Sequence, residues 1–179
     1  NDQKGLSVRY FSLFDLPVDF QVDLDTLSQR YREIQKQVHP DNYANSTESE
    51  RLLAVHTAAE VNDAFETLKS PLARAEYMVM EHGFDVKHEQ ATIKDGMFLM
   101  QQMELREELE EIADASDAET AFDDFYDDVK QLINQYTEQF QSQFNQQAYT
   151  DAAMAVRKLR FIYKLQNEAR LLEDKLLDF

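Results

Sequence analysis

The chain has 179 residues, 43% hydrophobic and 30% charged, with only 3 Gly, 3 Pro and no Cys. So little turn material points to an all-α protein of one domain or two small ones, and the missing thiols exclude a disulfide framework, thiolate zinc and a Cys nucleophile. A net charge of −17 makes nucleic acid and anionic membrane poor partners. No apolar run approaches the ~20 residues of a membrane span, and the opening residues 1–8 lack the apolar core of a secretory signal, so a cytoplasmic location is expected.

In chain order, Tyr10, Phe11, Leu13, Phe14 and Leu16 form a short apolar cluster stopped by Pro17. Asp23 or Asp25 can cap the next helix. Its apolar stripe is Leu24, Leu27, Tyr31, Ile34 and Val38, while Asp25, Gln29, Arg32 and Lys36 share the outward face. Arg30 flanks the stripe. Three cations interrupted only by Glu33 are out of character in so acidic a chain. The helix must end at His39-Pro40-Asp41, because Pro40 disfavours helical angles at the residue before it and has no N–H. Ser46 or Thr47 can cap a returning helix over Glu48 to Leu68, with Glu48 and Glu50 suiting its N-terminal dipole. Its expected inner stripe is Leu52, Val55, Ala58, Ala59, Asn62, Phe65 and Leu68. The two helices are thereby antiparallel, and the tripeptide is displayed at the tip of their hairpin, where function is usually carried. Ser70-Pro71 starts a further helix, Leu72 to Glu81, with Gly83 as its stop.

The segment 84–90 lacks periodicity and is taken as a linker, which gives domains 8–83 and 91–179. Residues 8–83 hold 7 cations and 13 acids, and 84–179 hold 10 and 21, so the second half has the stronger field. Three long helical patterns follow. The first runs from about Met97 to Ala113. The second carries Phe122, Phe125, Val129, Leu132, Tyr136, Phe140 and Phe144 at close to a seven-residue repeat. The third carries Ala152, Ala155, Leu159, Ile162, Ala169, Leu172 and Leu176. Short joins make them an antiparallel up-down-up bundle. The basic run Arg157, Lys158, Arg160, Lys164 is read as a solvated face that pairs with neighbouring acids.

The helix from Met97 has apolar residues on two sides. Phe98, Leu105, Leu109 and Ile112 point one way. Leu99, Met100 and Met103 point the other, followed by Glu104, Glu107 and Glu111. Either this helix touches two neighbours, or it exposes a Met/Leu patch with an acidic extension, suited to a partner carrying apolar and basic residues. Phe161 lies off its own helix's stripe and can join that patch.

Enzyme signatures are missing: no Gly-rich phosphate loop, nucleophile elbow or metal-spaced His/Glu pair. His82 and His88 have no third ligand between them. Alternatives kept open are an inert helical adaptor and a metal-dependent hydrolase built on His39, His56 and Asp41.

His39-Pro40-Asp41, together with Tyr10-Phe11-Ser12-Leu13-Phe14, Arg30-Tyr31-Arg32, Lys36, Asn62 through Leu68, Pro71 and Arg74-Ala75-Glu76-Tyr77, resembles a J-domain, the module that activates DnaK-type chaperone ATPases. Phe98-Leu99-Met100, Met103 through Leu109, Arg157 through Phe161 and the ending Lys175 through Phe179 resemble the HscB family, J-type co-chaperones of iron–sulfur cluster assembly. The resemblance covers almost the whole chain from Arg9. It implies an L-shaped molecule, a J-domain joined to a three-helix bundle, without a cofactor or metal and without enzymatic activity of its own. It implies stimulation of the partner chaperone HscA through His39, Pro40, Asp41, Arg30, Arg32 and Lys36. It further implies binding of the scaffold protein IscU through Leu99, Met100, Met103, Glu104, Glu107, Glu111 and Phe161. A monomer is expected. A J-protein serving another client is the alternative. Asn42 departs from the family, in which Lys or Arg often follows the tripeptide, and Met103 stands where Leu is expected.

Overall fold

Polar residues that close helix ends set the boundaries of this all-helical chain. The computed structural model describes residues 9–88 and 92–177. The expected domain limits at 8, 90, 91 and 179, and the closing Asp178-Phe179, lie outside the described residues. The chain divides into two units between Gly83 and Phe84.

The first unit holds α1 (Arg9–Leu13), α2 (Leu24–Val38), a 3-10 turn (Pro40–Tyr43), α3 (Glu48–Lys69) and α4 (Pro71–Met80). Asp23 caps α2 by accepting from the N–H groups of Asp25 and Thr26, Thr47 caps α3 through Glu50 N–H, and Ser70 caps α4 through Ala73 N–H. Each side chain satisfies a donor that the helix leaves open. Gly83 follows α4 at φ +93°, a left-handed turn that favours glycine.

The hairpin of α2 and α3 is joined by Tyr31, whose ring stacks on Phe65 at 4.0 Å and whose hydroxyl donates to Asn62 Oδ1 at 2.5 Å. Phe11, Phe14, Leu27, Val61, Ala64, Leu68, Ala75 and Val79 fill the core. Buried Arg74 donates to the carbonyls of Leu68 and Phe20 at 2.8 and 2.6 Å, which holds the loop before α2 against α4.

The stripe expected on α3 is corrected in phase. Of its expected members, Leu52, Val55, Ala59 and Asn62 are exposed and Ala58 and Phe65 half-buried, while Ala54, Val61, Ala64 and Leu68 are the buried positions. At about 100° per residue the buried four share one face, and Leu52, Val55 and Ala59 lie on the other side of the helix.

The second unit holds α5 (Gly96–Ile112), α6 (Ala118–Asn145) and α7 (Tyr149–Leu177), a three-helix arrangement in which α5 packs on both long helices. Phe122, Phe125, Val129, Tyr136 and Phe140 of α6 meet Ala152, Ala155, Leu159, Ile162, Leu165 and Ala169 of α7 in the core. Leu132, Phe144 and Leu172 are half-buried, and Leu176 is exposed in the last turn of α7. Val86 and Ile93, on either side of the undescribed residues 89–91, are buried. The basic run on α7 is corrected in its exposure: Lys158 is only 6% exposed and Arg157 and Arg160 are half-buried, while the expected pairing with an acid is met at Lys158, whose ammonium reaches Asp95, 63 residues away in sequence.

Candidate functional site

Two sets of side chains stand out, one in each unit. At the hairpin tip, His39 has φ −58° and ψ 133°, the extended geometry that a following proline imposes. The chain then turns through one 3-10 turn. Asp41 N–H donates to His39 Nδ1 at 3.2 Å, so in this tautomer the ring proton sits on Nε2. The Asp41 carboxylate is 90% exposed, 3.5 Å from the same imidazole nitrogen. A carboxylate this open can bond or pair with a partner group at little desolvation cost. Asn42 Nδ2 donates to the carbonyls of Lys36 and Gln37 at 2.6 and 3.3 Å. The departure from the usual basic residue therefore closes the C-terminus of α2.

Among the expected cations, Arg32 and Lys36 are exposed one turn apart on α2. Arg30 is engaged internally: its guanidinium donates to the carbonyls of Phe14 and Asp15 at 2.6 and 2.7 Å. Asp15 sits at φ +56°, a left-handed geometry that aspartate tolerates, and Arg30 holds its carbonyl there. The structure thus gives Arg30 a place in the fold of the tip's scaffold and leaves Arg32 and Lys36 as the outward cations of that set.

The second set lies on α5. Leu99 is exposed, Met100 and Met103 are each 64% exposed, and Phe161 on α7 is 40% exposed. Among the described residues of the second unit, no further helix covers Met100 and Met103. Phe161 stands beside Phe98, ring centroids 6.2 Å apart, which brings it next to the α5 residues. Glu104, Glu107 and Glu111 continue the face and are all exposed. Met97, 68% exposed and one turn before Met100, extends the apolar end. Sequence reasoning treated Met97 only as the start of the helix; its spacing of three from Met100 was the available signal.

The opposite side of α5 is fixed by polar chemistry. Asp95 caps the helix through Phe98 N–H at 3.2 Å and accepts from Lys158 Nζ at 2.6 Å. The Lys158 hydrogen bond, then the Phe98 N–H, holds the Asp95 carboxyl below its usual range. Tyr136 donates its hydroxyl to Gln101 Oε1 at 2.5 Å and meets the Phe98 ring edge-on at 5.6 Å. Further along, burial first and then a hydrogen bond shared with Asp128 push the Glu108 carboxyl up to about 7. Among the described residues, no group of three or more His, Cys, Asp or Glu is arranged to hold a metal ion, and no helix is long and apolar enough to cross a membrane.

A helical hairpin that displays His-Pro-Asp at its tip, followed by a three-helix unit, is the build of a J-type co-chaperone. Comparison with known proteins narrows the class. The family model described as the HSCB C-terminal oligomerisation domain matches residues 94–170. The co-chaperone protein HscB homolog of Vibrio campbellii is 50% identical over 170 residues, 95% of this chain and 99% of that protein. Chaperone HscB from Vibrio cholerae superposes with a TM-score of 0.81 at 46% identity, covering 93% of this chain and 98% of the other. Human co-chaperone protein HscB gives 0.83 at 30% identity over 93% and 83%. The chain belongs to the HscB family of co-chaperones.

Proposed function

We propose that this chain stimulates the ATPase of the DnaK-type chaperone HscA and delivers the iron–sulfur scaffold protein IscU to it, assisting the maturation of iron–sulfur proteins in the cytoplasm. The observation that carries this reading is the exposure of Leu99, Met100, Met103 and Phe161 as one apolar face continued by three carboxylates. Such a face is costly to leave in water and fits a client with apolar and basic residues.

In this reading Arg32 and Lys36 steer the first unit to an acidic surface of the chaperone's nucleotide-binding domain. Arg30 keeps the supporting loop in place. His39, Pro40 and Asp41 then bias that domain towards its hydrolysis-competent arrangement, with Asp41 making a charged contact worth ~1.5–3 kcal/mol, enough for a tenfold shift in a two-state equilibrium. The chain itself is not the enzyme; ATP is turned over by its partner. Holding client and trigger in one chain raises their effective concentration without any new contact.

The test is HscA turnover with this protein, with and without IscU, for the wild type and for Leu99→Ala/Met100→Ala/Met103→Ala. Wild type and IscU together stimulate more than either alone, and the triple variant loses that excess at unchanged helicity. Stimulation to which IscU adds nothing would give the face to another client. The protein alone is expected to sediment as a 21.0 kDa monomer. A dimer dissolved by the triple variant would give the face to self-association instead.

A further inference from the structure

The apolar docking face is assembled from two helices, so its shape depends on how α5 and α7 are set against each other. Leu99, Met100 and Met103 come from α5, and Phe161 comes from α7. Apolar ridges and grooves set the spacing and crossing of the two helices, and an exposed pair, Arg106 with Glu168 at 3.4 Å, joins them further along. A buried charge is less tolerant. Lys158 is 6% exposed, and leaving its ammonium without a partner there is strongly unfavourable. It meets Asp95 Oδ2 at 2.6 Å and lies 5.9 and 5.3 Å from the ring centroids of Phe98 and Tyr136.

The placement of this pair matters more than its strength. Asp95 lies four residues before Leu99, and Lys158 lies three residues before Phe161. Each partner is therefore about one helical turn from the docking residues of its own helix. Asp95 is also the residue that caps α5. Phe98, beneath the ammonium, has Phe161 as its other ring neighbour. The register that brings the cap carboxylate to the ammonium also sets Phe161 beside Phe98, the residue next to Leu99.

We propose that Lys158 is a positioning residue for client docking: through Asp95 it fixes the start of α5 against α7 and so pre-forms the face that Leu99, Met100, Met103 and Phe161 present. The inference rests on the client-docking reading of that face. Its energetic logic is pre-organisation. A face already in its bound shape is spared the ordering that a loose helix end undergoes on binding.

The experiment compares Lys158→Met, which keeps the length of the stem and removes the charge, with Asp95→Asn, which keeps the capping oxygen and removes the ion pair. The double variant and Leu99→Ala/Met100→Ala/Met103→Ala complete the set. Affinity for cluster-free IscU is measured by calorimetry, amide exchange over residues 97–103 is followed in the folded protein, and HscA stimulation without IscU reports on the first unit. Lys158→Met is expected to lose about tenfold in affinity, to exchange faster over 97–103, and to stimulate HscA normally. The double variant should be no worse than Lys158→Met, because both changes remove one interaction. If Lys158→Met fails to fold, Asp95→Asn carries the same expectation of weakened binding and faster exchange. Wild-type affinity and exchange in these variants, with binding lost in the triple variant, would overturn the positioning role and leave the docking face standing. Wild-type affinity in the triple variant would remove the face and the positioning role together.

Discussion

Asn42 reaches back across the hairpin tip to the carbonyl of Lys36, six residues earlier, and satisfies at 2.6 Å an acceptor that the end of α2 leaves open. The residue after the His-Pro-Asp tripeptide thus holds in place the helix that carries Arg32 and Lys36. Asn42→Ala is expected to destabilise the first unit by about 1 kcal/mol. Amide exchange should rise first around the last turn of α2. Thermal unfolding and residue-resolved exchange check both; an unchanged melting curve would show that water replaces the amide without loss.

Asp41 is the tip's most open charged group, and among the described residues its side chain makes only the 3.5 Å approach to His39. Asp41→Asn therefore leaves folding within ~0.5 kcal/mol, as for other surface sites. The variant is expected to lose HscA stimulation. Circular dichroism with a turnover assay separates the two effects, and surviving stimulation would remove Asp41 from its assigned role.

Glu104, Glu107 and Glu111 should act mainly on the rate of client association. Reversing Glu104 and Glu107 to Lys is expected to slow association with IscU several-fold at low salt, with a smaller change in dissociation. The gap should close as salt rises, because the screening length falls from ~10 Å at 0.1 M to ~3 Å at 1 M. Stopped-flow binding across a salt series measures it, and a slope unchanged by the reversal would deny the carboxylates that role.

Glu108 gives a pH dependence of defined sign. Its ordinary value is 4.5, and in the fold burial and Asp128 raise it to about 7. Between those values the folded state keeps a proton that the unfolded chain has released. Stability of the second unit from this group therefore falls as pH rises from 4.5 to 7 and stays low above it. Glu108→Gln should be more stable than wild type at pH 8, by about 1 kcal/mol once solvent screening of a half-buried group is allowed for. The advantage should vanish near pH 4. Asp95 and Asp117, both held below their usual range, act in the opposite sense and lose their contribution as pH falls through their lowered values.

The helices and their ends were legible because their causes are local. Asp23, Thr47, Ser70, Pro40 and Gly83 act within a few residues of themselves, and α2 runs over the span its stripe indicates. The exposed apolar face on α5 was half legible. Helical angles separate Leu99, Met100 and Met103 from Phe98, but whether a neighbour covers them depends on where the other helices lie. The phase of α3 was not legible either: Leu52 and Val55 recur at helical spacing, but so do Ala54, Val61, Ala64 and Leu68, and the fold buries the second face. Lys158 was misread for a related reason: a lysine in a basic run looks solvated until its partner, 63 residues away, is known. Arg30 likewise reads as one cation of a patch, while its bonds go to a loop formed earlier in the chain.

The exposed methionines carry a chemical liability of their own. Met97, Met100 and Met103 stand 68, 64 and 64% open to solvent, and this sequence has no cysteine to intercept an oxidant. Peroxide would add a polar oxygen to each thioether and turn the greasy end of α5 hydrophilic while leaving the packed core intact. Sulfoxide reduction would restore the apolar surface without new synthesis.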